Sequence, residues 1–388
     1  MVAGRHARTG APRRRAPGLV AAAALVVVGV AAWRLAAAPR ASGVGASTTT
    51  TSASSASTTT SSAPVTTTTT TPPTVTLSAV GDTELGNTPT LPSDPAAWFD
   101  SVRGALAAPI VFGNLEGTLT DATTSKCGAA ALFCYAFKVP PSYAAYYRAA
   151  GFTVLNSANN HSDDFGPAGV ASTSAALRAA GIVQAGLPGQ IGLVREGPVT
   201  VAFCDFAPYA LTNDLLDTAA AAQLIARARA EADVVVVYMH AGAEGANADQ
   251  VTRRTEYFVG ENRGNPYAFA HFAIDHGADL VIASGPHVLR GMEWYRGHLI
   301  AYSLGDFANY EDFSASGTLA LSGILRVTLT SGGRFVDGRF TSLVLAPDGH
   351  ASVDPHGAAA AFVNQLSRQD FGPGAALIRA DGSIAPPA

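Results

Sequence analysis

From residue 75 onward, short apolar runs alternate with Ala-rich stretches of helical spacing. Residues 75–80, 109–112, 154–157, 199–203, 234–239, 280–283 and 299–303 are short, rich in Val, Ile and Leu, and predict buried strands. Between them, 142–150, 167–180, 218–231 and 267–276 predict helices, the second closed by Gly181. This alternation points to an α/β fold with helices layered on sheet. Beyond Ser316 the period shortens to two, in GTLALSGILRVTLTS and RFVDGRFTSLVLA, the pattern of antiparallel strands. One mixed α/β body accounts for both patterns.

The first 74 residues follow different rules. Arg5, Arg8, Arg13, Arg14 and Arg15 precede the apolar run 19–33, LVAAAALVVVGVAAW. As a helix that run spans about 22 Å, and extension to Ala38 with Arg34 snorkelling reaches roughly 30 Å. Basic residues ahead of an apolar run place the N-terminus inside and the body outside the cytoplasm. The small residues of LAAAPRAS also suit cleavage, so residues 1–40 read as a signal anchor or a cleaved signal peptide. Residues 41–74 are dominated by Ser and Thr, with Pro and no acidic residue, and predict an extended linker. The body then runs over 75–375, with 376–388 as a C-terminal tail.

Charge narrows the function. Beyond residue 40 there are 18 basic against 29 acidic residues, a net −11. Such a body repels nucleic acid, which needs a basic face to neutralise phosphates. Cys127 and Cys134 have six residues between them, and a bridge there suits an oxidising compartment. Cys204, inside VAFCDF, reads as a small buried hydrophobe.

The polar residues recur at one kind of place. Asp82 follows TVTLSAVG, Asn114 and Glu116 follow PIVFG, and Asn159, Asn160 and His161 follow TVLNSA. His240 follows DVVVVYM, His287 follows DLVIASGP, and Asp306 follows HLIAYSLG. Each stands at the C-terminal end of an apolar strand, the edge where open α/β sheets bind ligands. Oxygen and imidazole donors without thiolate suit Mn, Fe or Zn. Asp163 and Asp164 either orient the His161 ring or cap the helix opening at Pro167. Glu244 and Glu293 lie near the same edge, as substrate contacts or plain surface. His271 and His276 belong to a helix end, where a structural role is expected, and His298, His350 and His356 adjoin turns.

In these motifs the chain resembles the CapA family of capsule or poly-γ-glutamate biosynthesis proteins. The similarity is carried by VGDTELG (80–86), GNLEGTLTD (113–121), FKVPPSYAAYYRAAGFTVLNSANNHSDDFGPAGV (137–170), YMHAGAE (238–244), IDHGADLVIASGPHVLRGMEWYRGHLIAYSLGDF (274–307) and LSRQDFG (366–372). That domain is similar to the calcineurin-like metallophosphoesterases. The resemblance implies a four-layer α/β/β/α sandwich of two mixed sheets with a metal site at the strand ends. It implies Asp82, Glu116, Asn160, His240 and His287 as metal ligands, and His161 as a catalytic general acid with Asp164. Asn114, Asn159, Glu244 and Asp306 become substrate contacts. Two positions depart from the superfamily pattern: Glu84 and Gly285 stand where imidazole ligands are expected. One divalent ion is therefore expected rather than two.

Two functions compete on this reading. One is a metal-dependent hydrolase or transferase acting outside the membrane on an anionic envelope polymer or phosphoester. The other is a non-catalytic component that binds such a polymer, poly-γ-glutamate for example, within a membrane-anchored synthase complex. Holding an anionic chain on an acidic body requires a bound cation or local arginines such as Arg253, Arg254 and Arg263. A surface adhesin, suggested by the Ser/Thr stalk alone, ranks last.

Overall fold

The computed structural model describes residues 71–128 and 134–385. The expected export segment and nearly all of the linker lie outside the described residues. No described helix is long and apolar enough to cross a membrane. The principal strands are β1 (Thr74–Glu84), β2 (Ile110–Leu115), β3 (Val154–Asn156), β4 (Val199–Ala207), β5 (Val234–His240), β6 (Leu280–Ser284), β7 (Asp306–Asn309), β8 (Leu321–Thr330) and β9 (Phe335–Leu345). The principal helices are α1 (Ala144–Ala150), α2 (Gly166–Ala179), α3 (Thr218–Glu231), α4 (Pro266–Asp275) and α5 (Ala358–Phe371).

Two mixed sheets result. The nine-stranded sheet runs Ala351–Val353, β9, β8, β1, β2, β3, Val183–Ala185, with β7 beside the end of β1. β1, β2 and β3 are parallel, whereas β8 and β9 are antiparallel, as their two-residue period requires. The seven-stranded sheet is built on parallel β4, β5 and β6, with Gly192–Glu196 and the pair Met292–Tyr295 and His298–Ala301 at its edges.

Alternation along the strands places the core. Leu77, Phe112 and Val154 of the first sheet meet Phe203, Val236 and Leu280 of the second in one apolar layer. The rings of Phe112 and Phe203 stack 5.3 Å apart across that layer, and truncating Phe112 to Ala would cost about 3–5 kcal/mol. Leu106, Tyr147, Phe152 and Leu177 cover the outer face of the first sheet. Leu224 and Ile225 of α3 and Phe269 and Ala273 of α4 cover the second. The order is helices, sheet, sheet, helices. Helix α3 has the expected limits because Asp217 accepts a hydrogen bond from Ala220 N at 3.0 Å. Asn265 caps α4 in the same way, with Pro266 in its first turn.

Two differences from the sequence reading stand out. Strands β1, β2, β4 and β5 run further than their apolar residues, because backbone pairing continues through Asp82, Asn114, Asp205 and His240. Residues 376–385, expected as a tail, contribute Ala376, Ile378 and Ile384 to the core, and Ser383–Ile384 pairs with β9. Cys127 and Cys134 form a disulfide, with Cα atoms 5.6 Å apart, and Cys204 is buried as expected.

Candidate metal centre

The site grows out of the same alternation that makes the core. Along β5 the inward-facing residues are Val234, Val236, Tyr238 and then His240, so the last rung of an apolar ladder is an imidazole. On β2 the rungs are Ile110, Phe112 and Asn114, followed by Glu116 just past the strand. On β6 they are Leu280, Ile282 and Ser284. Strand register aligns these ends: His240 is opposite Ser284, Asp82 is opposite both Asn114 and Asp306, and Asn114 is opposite Asn156. Polar groups from both sheets thus converge where the apolar layer stops.

Asp82, Glu116, His240, His287 and Asp306 are all buried. Donor atoms of Asp82, Glu116 and His240 lie within 4.8 Å of one another, as do those of Asp82, His287 and Asp306. Asp82 joins the two triads. His287 Nδ1 is 2.8 Å from Asp306 Oδ1 and 3.2 Å from Asp82 Oδ2. His240 Nε2 and Glu116 Oε1 are 3.6 Å apart, and neither has a hydrogen-bond partner among the described residues. That separation is close to the ~3.4 Å edge between two ligands of a tetrahedral ion. Two orphaned buried donor atoms facing each other, within an oxygen and imidazole set, fit a divalent cation.

Asn114 holds the carboxylates in place. Its Nδ2 donates to Asp82 Oδ1 at 2.7 Å and to Glu116 Oε2 at 2.8 Å, and lies 3.3 Å from His240 Nδ1. Its Oδ1 accepts from Asn156 and Asn159, at 2.6 and 2.9 Å. Ser284 Oγ donates to Asp82 Oδ1, Tyr238 bonds Ser284, and Gly285 N–H donates to Asp82 Oδ2 at 3.2 Å.

Burial and neighbouring charge set the protonation states. Burial alone would raise the Asp82 pKa, but the hydrogen bond and charge of His287, with His240 and Ser284, hold it far below the usual carboxylate range. Burial, joined by the Asp82 charge, raises Glu116 well above its ordinary value. Burial also pushes His240 well below the usual imidazole range, leaving it neutral and able to ligate. For His287 burial acts downward too, yet the Asp306 and Glu116 carboxylates win and raise it well above that range. His287 has φ of +56°, a left-handed conformation that few non-glycine residues adopt.

His161 stands beside this centre. Its Nδ1 is 2.9 Å from Asp164 Oδ2, which also accepts from Phe137 N at 2.6 Å, while Lys126 Nζ is 2.6 Å from Asp164 Oδ1. Asp164 therefore orients the ring. Burial lowers the His161 pKa despite Asp164, so the ring is neutral at pH 7 and poised to take a proton at Nε2.

The other expected residues divide. Asp306, expected as a substrate contact, lies inside the second triad. Glu244 Oε2 is 3.9 Å from His287 Nε2, and the side chain is 15% exposed, so it lines the mouth of the site. Asn160 Oδ1 is buried without a partner, and among the described residues no hydrogen bond ties the side chain to either triad. Glu293 is a structural acceptor, taking hydrogen bonds from Tyr302 and meeting His271 at 2.9 Å. Glu84 joins neither triad among the described residues. A Cβ at Gly285 would lie 3.0 Å from the His240 ring, and φ there is +106°, so a side chain at this position would be tight and strained. The sequence does not single out Ser284 or Tyr238, because Ser and Tyr inside an apolar run carry no signal of their own, nor Lys126, a lone charge in the polar loop ATTSKCG.

Fold and site together define a class: a helix–sheet–sheet–helix protein with a carboxylate and histidine centre between its sheets. Over residues 76–311 the chain matches the bacterial capsule synthesis protein PGA_cap family, and it belongs to that family. It is 35% identical over 173 residues to the PGA biosynthesis protein CapA of Bacillus subtilis (strain 168), covering 40% of this chain and 42% of that protein. It is 30% identical over 178 residues to the capsule biosynthesis protein CapA of Bacillus anthracis, covering 41% of this chain and 40% of that one. The matched parts thus span less than half of either relative. Among solved structures, a 5'-nucleotidase precursor from Thermus thermophilus aligns at TM-score 0.38 and 15% identity, over 76% of this chain and 59% of that one. The purple acid phosphatase PPD1 from yellow lupin aligns at TM-score 0.36 and 9% identity, over 73% and 54%. Both likenesses are slight.

Proposed function

We propose that this chain is a metal-dependent hydrolase or transferase acting outside the membrane on an anionic envelope polymer of the poly-γ-glutamate kind. The observation that carries the reading is the convergence of Asp82, Glu116, His240, His287 and Asp306, with the orphaned Glu116 Oε1 and His240 Nε2 face to face. One divalent ion, Mn, Fe or Zn, held by these residues would polarise an ester or amide and lower the pKa of bound water. Asn114 and Ser284 keep the carboxylates oriented. His161, its Nδ1 turned to Asp164, would take a proton at Nε2 from the attacking water and pass it to the leaving group. Glu84 and Gly285, standing where imidazole ligands are expected, support one ion rather than two. Family membership supports the polymer, while the arginine-flanked apolar segment and the disulfide support a membrane-anchored or secreted body alongside a polymer synthase.

The test is metal content of the purified protein, paired with turnover of phosphoesters and γ-glutamyl peptides. Protein that retains no Mn, Zn or Fe sinks the proposal. Glu84 and Gly285, in place of imidazoles, favour a second reading in which the cleft binds polymer without cleaving it. In that case His161→Ala leaves polymer production intact while deletion of the body abolishes it.

A further inference from the structure

Beside the centre lies a guanidinium with one binding edge unused. Arg263 follows the hairpin formed by Tyr257–Phe258 and Glu261–Asn262, and is 1% exposed. Its Nη1 donates to Tyr209 Oη at 2.8 Å and pairs with Glu244 Oε1 at 2.7 Å. Its Nε finds no acceptor among the described residues, and its Nη2 reaches only Gly285 O, at a long 3.5 Å. The Nε–H and one Nη2–H lie parallel on the same edge of the planar group. That edge receives two oxygens of a carboxylate or a phosphate. A buried donor left without an acceptor is costly, and the cost is tolerated where a ligand supplies the missing oxygen.

The edge adjoins the metal centre through short links. Gly285, whose carbonyl Nη2 touches, donates its N–H to Asp82 Oδ2 and packs against the His240 ring. Glu244, held on Nη1, presents its other oxygen to His287. The Arg263 charge acts on both His240 and Glu116. This arginine is the buried cation that a body of net −11 needs to hold an anion next to three carboxylates.

We propose that the Nε and Nη2 edge of Arg263 binds a substrate oxyanion, carboxylate or phosphate, beside the metal centre. The inference rests on that centre being the reactive site, and it names what the substrate must carry. Because Arg263 is covered, anion entry involves a local movement. The preceding hairpin, with Tyr257 63% and Val259 79% exposed, is a loosely covered segment next to it.

The experiment titrates full-length, metal-loaded protein by calorimetry with inorganic phosphate and, separately, with a γ-linked tetraglutamate peptide. Metal content is measured on every variant. Wild type is expected to bind at least one of the two, and the tighter one identifies phosphate or carboxylate as the source. Arg263→Gln should weaken that binding on the order of tenfold to a hundredfold with metal content unchanged. Arg263→Lys should lose nearly as much, because an ammonium offers no parallel pair of N–H groups. Glu244→Gln, which removes a competing negative charge, should tighten binding several-fold. If Arg263→Gln fails to fold, the Arg263→Gln/Glu244→Gln double variant removes both charges and takes its place. Undiminished binding by the Arg263 variants, or a wild type that holds metal but neither anion, overturns the inference. A wild type that holds no metal overturns the metal-centre reading instead.

Discussion

Metal binding at this site should be coupled to proton release. Without a cation, burial and the Asp82 charge favour a protonated Glu116, while the Asp306 carboxylate and the hydrogen bond to Asp82 favour a protonated His287. A divalent ion needs Glu116 as a carboxylate and an imidazole nitrogen free of its proton. Binding near pH 7 should therefore release protons, and the apparent affinity should fall as pH is lowered, by up to roughly tenfold per pH unit for each proton released. Glu116→Gln has no proton to lose, so it should release one fewer and its pH slope should drop by one. The assay is calorimetric titration with MnCl2 or ZnCl2 in two buffers of different ionisation enthalpy, at pH 6 and pH 7. Stability of the metal-free protein should follow the same protonation. A folded pKa raised above the ordinary 4.5 makes the Glu116 contribution largest below that value, and the contribution is lost as pH climbs toward the raised one. A wild type that binds metal without releasing protons, or a Glu116→Gln variant with the wild-type count, refutes this reasoning.

Other substitutions test separate parts of the structure. Asp205 is fully buried on the inner face of β4, neither of its oxygens has a partner, and burial raises its pKa well above the usual range. As pH rises from 4 to 7, Asp205→Asn should gain stability relative to wild type in urea unfolding, and parallel pH profiles would contradict this. Arg290 and Glu256 form a buried pair at 2.8 Å, so Arg290→Met should cost about 3–5 kcal/mol by leaving the Glu256 carboxylate without a counter-charge. Adding Glu256→Gln should recover most of that loss, and simple additivity in denaturation would count against the pairing. His161→Gln should lower kcat on a phosphoester or γ-glutamyl substrate by about 10²–10⁴ without changing metal content. Unchanged turnover would remove His161 from the chemistry.

What could be read from the sequence depended on contrast. His240 and His287 stood out because an imidazole closing a run of Val and Ile has few structural uses. The layered architecture followed from the alternation of strand and helix patterns and from the family likeness. Asp306 could be placed near the site but not in a triad, because only the parallel pairing of β7 with β1 sets it opposite Asp82. Arg263 looked no different from the surface residues Arg253 and Arg254, since burial is a property of the folded chain. Asp205 was hidden inside VAFCDF, where the pattern promised only a strand. The stretch 376–385 lacks any run long enough to announce itself, yet its few apolar residues fill the edge of the core.

Asp82 and Asp306 stand opposite each other although the second sheet, β4 through β6, is threaded between them in the chain. The earliest donor in the sequence thus waits for the latest, and neither sheet alone holds a complete donor set. Cation affinity consequently reports on completion of the topology as far as β7. A fragment ending before residue 306 would retain most of the apolar layer and still bind its ion poorly.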